Sequence, residues 1–155
     1  MTDTQRDQGE AATVEEQRDG SYLSPTTRHE IEVILARQLA GYLAIPIVIV
    51  EPSHLVVYYN EPAERMLGRR FDEGGPIPWA EWTKAFDFRD DAGEPIPATE
   101  LPLATSLHHR RLAHRTFWIR GLDGIQRHMG ETAIPLIGNA GRFLGAVAFF
   151  AEIEQ

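Results

Sequence analysis

Four histidines, His108, His109, His114 and His128, are the side chains best suited by type to hold a metal. Their spacing does not favour it. Adjacent helical positions do not share a face, and no chelating i, i+4 pair exists among the four, so no zinc site is expected. The run His108-His109-Arg110-Arg111 reads better as positive charge at the end of a helix, where the macrodipole favours it. Asp87, Asp90, Asp91 and Glu94 make an acidic loop, but their spacing departs from the Asp-x-Asp-x-Asp-Gly pattern of a calcium loop. A solvated connection is the expectation there. Nucleophiles are scarce. The chain has no cysteine, which removes disulfides, thiolate zinc sites, iron–sulfur clusters and cysteine nucleophiles together. Its only lysine, Lys84, follows Thr83 rather than a glycine, so a phosphate loop ending in Gly-Lys-Ser/Thr is excluded. None of the four serines stands in Gly-x-Ser-x-Gly, and no His-Glu-x-x-His occurs. Paired acids such as Glu15-Glu16 lie in a polar tail or in loops, with no means of raising a pKa. The expectation is a protein that is not an enzyme.

These residues sit in a chain of 155 residues and 17.4 kDa, enough for one domain with a real core. No stretch approaches the ~20 apolar residues of a membrane span. The N-terminus lacks the apolar centre of a signal peptide, so the cytoplasm is the expected compartment. A net charge of −8 and a pI near 5.2 argue against nucleic acid as a partner. Residues 1–23 hold six acids against two arginines and few apolar residues, the composition of a disordered acidic tail. Residues 24–43 then read as an amphipathic helix, and 44–155 as the folded domain.

That helix begins with Ser24 and Pro25, and Thr27 to Glu30 also has capping-box form. Ile31, Ile34, Leu35, Leu39 and Tyr42 fall on one stripe, which must be buried on something. Beyond Pro46 the pattern turns to strands. Ile47–Glu51, a Pro52-Ser53 turn and His54–Tyr59 form a hairpin. Asn60 caps a short helix, Glu61–Leu67, closed by Gly68. A loop over 72–78 leads to a helix over 79–86, with Trp79, Trp82 and Phe86 on one side. A polar loop over 87–97 precedes a helix capped by Thr99 and running to His109, with Pro102 in its first turn.

The last third is all strand: 112–120, 125–136 and 142–153, joined by Gly121-Leu-Asp-Gly124 and Gly138-Asn-Ala-Gly141. The last strand is apolar on both faces, with Phe143, Val147 and Phe149 on one and Leu144, Ala146, Ala148 and Phe150 on the other. It belongs in mid-sheet with both faces covered. The short helices cover one face; the long helix or a second subunit must cover the other. The fold class is therefore α+β, with a five-stranded antiparallel sheet, short helices on one face and an N-terminal amphipathic helix. Surplus apolar surface favours a homodimer, through Ile31, Ile34, Leu35, Leu39, Tyr42, Leu144 and Phe150, with Trp118 added.

Three segments, in order, resemble a PAS domain, the sensory and dimerisation module. Ile45–Glu51, Leu55–Asn60 and Pro62–Gly68 are similar to its opening hairpin and first helix. Glu94-Pro-Ile-Pro97 and Glu100–Ala104 resemble the lead-in to its long helix. Asp123-Gly124, Ala133–Leu136 and Gly141–Gly145 resemble its closing hairpins. The resemblance covers about residues 44–154. It implies a non-enzymatic signalling module that works by homodimerisation and by binding a protein partner. The family's closing Asp-Ile-Thr corresponds to Glu152-Ile-Glu154 near the end of this sequence, so the signal is expected to pass to a partner in trans. The resemblance also implies, as the alternative, a sensor for a small apolar ligand or a cofactor such as haem or flavin. Its cavity would be lined by Trp82, Phe86, Leu103, Leu107, Phe117, Ile119 and Met129. A haem would take His108 or His109 as axial ligand. A packed interior without cofactor remains the default, and the missing cysteine excludes flavin–cysteinyl photochemistry.

Overall fold

The computed structural model describes residues 25–154; the expectations for the acidic tail and for the Ser24 cap lie outside them, as does the side chain of Ile31. The first helix, α1, runs Pro25–Tyr42. Two strands follow, β1 (Ile47–Val50) and β2 (Leu55–Tyr59), then α2 (Glu61–Leu67). The start and stop of α2 are local chemistry. Asn60 Oδ1 accepts the N–H of Ala63, Pro62 lies in the first turn, and Gly68 ends the helix in the left-handed region at φ 71°.

The stretch read as loop over 72–78 holds a single turn of helix, α3 (Phe71–Gly74), and a two-residue strand, β3 (Ile77–Pro78). Helix α4 (Trp79–Lys84) is followed by β4 (Asp87–Arg89), where the sequence reads as polar loop. Thr99 does not cap the next helix. It lies in a 3-10 turn, Ala98–Glu100, and α5 begins at Pro102 after Leu101 and ends at His109. Strands β5 (Ala113–Arg120), β6 (Gln126–Ile137) and β7 (Phe143–Glu152) complete the chain.

All strands join one antiparallel sheet in the order β3-β2-β1-β7-β6-β5-β4. It has seven strands rather than five. The two extra ones are edge strands of two and three residues, too short to show alternation in the sequence. The last strand in sequence, β7, is central, which explains its apolar character on both faces.

Each face carries its own core. One holds Val48, Val56, Tyr59, Leu67, Trp82, Phe117, Met129, Ala146, Ala148 and Phe150 under α2, α4 and α5. The other holds Ile47, Ile49, Val57 and Val147 under α1, with Ala36 and Ala40 at the contact. The expected division of β7 is corrected at its start. Residues 146, 148 and 150 do share a face, but Phe143 packs with them while Leu144 lies on the α1 side. Opposite this point the ladder shifts register between Leu136 and Ile137. Gly145, at φ 118°, takes up the irregularity, and a Cβ there would collide with the Val50 carbonyl. A bulge of this kind reverses the alternation before it.

Candidate functional site

The seven residues expected to line a cavity, Trp82, Phe86, Leu103, Leu107, Phe117, Ile119 and Met129, come from α4, α5, β5 and β6, and from the turn after α4. All are buried in the single cluster between the helices and the sheet. Aromatic rings fill much of it. Trp82 stacks on Trp79 with centroids 5.3 Å apart and meets Phe86 edge-on at 5.0 Å, and Phe88 meets Phe117 at 5.5 Å. The Trp82 Nε1–H is buried there without a hydrogen-bond acceptor.

Haem does not fit this interior. His108 and His109 are exposed at the end of α5 and no histidine belongs to the core. His108 Nδ1 is 2.8 Å from the Ala104 carbonyl, and its ring meets His54 edge-on at 4.9 Å. His114 faces Thr132 on the other side of the sheet, where His128 stacks on Trp118 at 4.5 Å. The four histidines are therefore not gathered. Among the described residues no group of three or more His, Asp or Glu could hold a metal ion.

Two buried polar residues escape the sequence patterns. Asn60 is legible as a helix cap, but it does more. Its Oδ1 also accepts the Ile47 N–H at 2.9 Å, and its Nδ2 donates to the carbonyls of Ala40 and Ile45 at 2.9 and 2.8 Å. One amide thus joins the end of α1, the start of β1 and the start of α2. Glu131 sits in the main core on β6, where its Oε1 accepts the Leu103 N–H at 2.9 Å. Leu101 has no side-chain acceptor for the first turn of α5, so a carboxyl from a distant strand supplies one. Burial pushes the Glu131 carboxyl up to about 8, against the opposing pull of the Leu103 N–H. Alternation does mark position 131 as inward, since Met129 and Ala133 flank it. That was the available signal.

The face of α1 that meets the sheet is not the apolar stripe. The helix approaches the sheet through Ala36 and Ala40, small residues that allow close contact. Glu32 pairs with Arg142 at 2.6 Å, and Arg37 Nη2 donates to the Val57 carbonyl at 2.7 Å, tethering the helix on either side. The apolar stripe is left outward: Ile34, Leu35, Leu39 and Tyr42 are 50%, 58%, 64% and 89% exposed. Beside it runs an apolar groove of about 220 Å³, lined by Leu39, Leu43, Ile47, Ile134, Val147 and Phe149. Two expected interface residues are not at the surface. Phe150 is 3% exposed in the main core, and Leu144 is buried on the α1 side because of the bulge. Trp118 is half-buried against His128.

No protein-family model matches the sequence, and no curated protein matches it significantly. Solved structures do. The PAS domain of Bordetella pertussis BvgS superposes with a TM-score of 0.61 at 17% identity, over 81% of this chain and 88% of that one. The chain has a PAS fold. The PAS domain of nitrogen regulation protein NR(II) from Vibrio parahaemolyticus gives 0.54 at 14% identity, over 77% and 98% of the two chains. A LOV protein from Rhodobacter sphaeroides gives 0.59 at 10% identity, over 83% and 69%. At these identities it is the fold that is shared. β2-β1-β7-β6-β5 correspond to the five strands expected from the sequence pattern, with β3 and β4 added at the edges of the sheet. No described helix is long and apolar enough to cross a membrane.

Proposed function

We propose that this PAS-fold chain is a non-enzymatic signalling module that acts as a homodimer and passes its signal to a protein partner in trans. The observation that carries this reading is the outward apolar ridge of α1 lying directly beside an apolar groove, with Leu39 in both. A ridge and a groove side by side are self-complementary. A two-fold axis sets the ridge of each copy in the groove of the other, which is the requirement for a closed symmetric interface. Apolar surface this concentrated is otherwise left in water. Ile34, Leu35, Leu39 and Tyr42 are the residues that dimerisation covers; Leu144 and Phe150 are structural.

The test is the solution mass of the wild type against Leu35→Glu and Leu39→Glu. We expect the wild type at twice the 17.4 kDa chain mass and both variants at the monomer mass, with unchanged far-ultraviolet circular dichroism. A monomeric wild type, or variants that stay dimeric, refutes the reading. These positions are exposed, so a charge there costs the monomer little.

A second reading, a small-molecule sensor, is favoured by the Trp82 Nε1–H, a buried donor with no acceptor. Buried donors are normally satisfied, so a ligand or water carrying an acceptor oxygen would complete this one. Native mass spectrometry on protein purified from cells, with an absorbance spectrum, checks it. Colourless protein with no adduct mass counts against the sensor and leaves the dimer reading intact.

A further inference from the structure

Among the described residues Glu131 is the only acid or base that is fully buried. It stands on the inward face of β6 between Met129 and Ala133, beneath the first turn of α5. None of the ion pairs among the described residues includes it.

The charged groups around it are few and engaged elsewhere. Across the ladder on β5 stands Arg115, whose guanidinium donates to Glu100 Oε2 at 3.2 Å in the turn before α5. Across on β7 stands Phe150, with Glu152 two residues further along and exposed. On β6 itself Arg127 is tied to Asp123 at 2.8 Å. The titratable groups of α5, His108 and His109, are at its opposite end. Among the described residues no cation is placed to neutralise a carboxylate at this point.

Two effects compete over the proton. The Leu103 N–H and the helix N-terminus favour the anion. Removal from water favours the neutral acid, and it is the larger effect at a fully buried site with one donor. The neutral carboxyl is therefore the form that suits the closed core. The sheet cannot move to hydrate the anion, because its strands are held by continuous ladders on both sides of β6. The first turn of α5 is held by no ladder; it docks through the Leu103 N–H on Glu131 and the buried side chains of Leu101 and Leu103, so it is the part that yields.

We propose that Glu131 is a proton-operated catch on α5. With Glu131 neutral, the first turn of α5 is docked and the core is closed. When Glu131 ionises, water reaches the carboxylate and that turn lifts from β6, carrying Leu103 with it. The interior between α5 and the sheet is then open. The response runs one way: acid closes, base opens.

The test is amide hydrogen exchange followed by NMR on wild type and Glu131→Gln, with each rate corrected for the intrinsic pH dependence of exchange. In the wild type, protection of Leu103, Ala104 and Thr105 falls by at least about tenfold between roughly pH 6.5 and pH 9, while β6 and β7 amides hold theirs. In Glu131→Gln, which keeps the acceptor and cannot ionise, protection does not change over that range. The same pH dependence in both proteins overturns the proposal, as does none in the wild type. Should the variant not fold, the carbon-13 shift of the Glu131 carboxyl in the wild type decides. A midpoint at or above about pH 7 supports the catch and one below it refutes it.

Discussion

Asn60 uses every polar atom of its amide on backbone groups of α1, β1, α2 and the link between α1 and β1. Replacing it by alanine removes a helix cap, strands the Ile47 N–H and takes a donor from the Ile45 and Ala40 carbonyls, of which Ala40 keeps the Leu43 N–H. We expect Asn60→Ala to cost about 2–4 kcal/mol in urea denaturation, well above the ~1 kcal/mol of an ordinary cap. Glu131 makes a different prediction, in which pH is the variable. Its carboxyl is raised from an ordinary 4.5 to about 8 by burial, so between those values the folded protein binds a proton that the unfolded chain has released. Stability must then fall as pH rises through that window. Relative to Glu131→Gln, the wild type loses a few kcal/mol between roughly pH 4.5 and pH 8, read from urea midpoints at a series of pH values. Equal slopes in the two proteins would show that Glu131 ionises normally. Of these two residues the sequence shows one role of Asn60, the cap, because capping is a local pattern. Its bonds to Ala40 and Ile45, and the carboxyl of Glu131 on Leu103, join residues distant in the chain and leave no local mark.

The short helix α2 and the three closing strands have boundaries that follow from neighbours in sequence: Asn60 before, Gly68 after, glycine-bearing turns between strands. Strands β3 and β4 do not, since each exists only by pairing with the edge of a longer strand. Helix α1 shows the limit of periodicity. Its apolar stripe is genuine, yet the face on the sheet is the one with Ala36 and Ala40, because small side chains let two backbones approach. The bulge at Gly145 is the other tertiary feature of this kind. Adding a methyl group there forces β7 away from the Val50 carbonyl on β1 and places a side chain at φ 118°. We expect Gly145→Ala to lower stability by more than about 2 kcal/mol, measured by thermal unfolding, whereas Gly93→Ala in an open turn costs under about 1.5 kcal/mol.

One sheet between two cores accounts for the whole molecule. The helix-side core is large and aromatic; the α1 side is smaller and open along one groove. Filling that groove with a second copy's ridge should protect it. We therefore expect the thermal midpoint to rise with protein concentration in the wild type and to be independent of it in Leu35→Glu, checked by calorimetry across about a hundredfold range of concentration.

Composition, the lack of cysteine, the caps and the alternation of the closing strands are properties of the chain read locally. They determined that this is an α+β domain with a central, doubly covered last strand, and they led to the PAS resemblance that the superpositions bear out as a fold. What only the tertiary structure decided is which apolar surface meets which. Phe150 is interior because its face of β7 is the one that α2, α4 and α5 cover, and Leu144 is on the α1 side because one bulge reverses the alternation at the start of the strand. The α1 stripe faces away from the sheet within one chain, because helix packing is settled by fit to the partner surface and not by the helix alone.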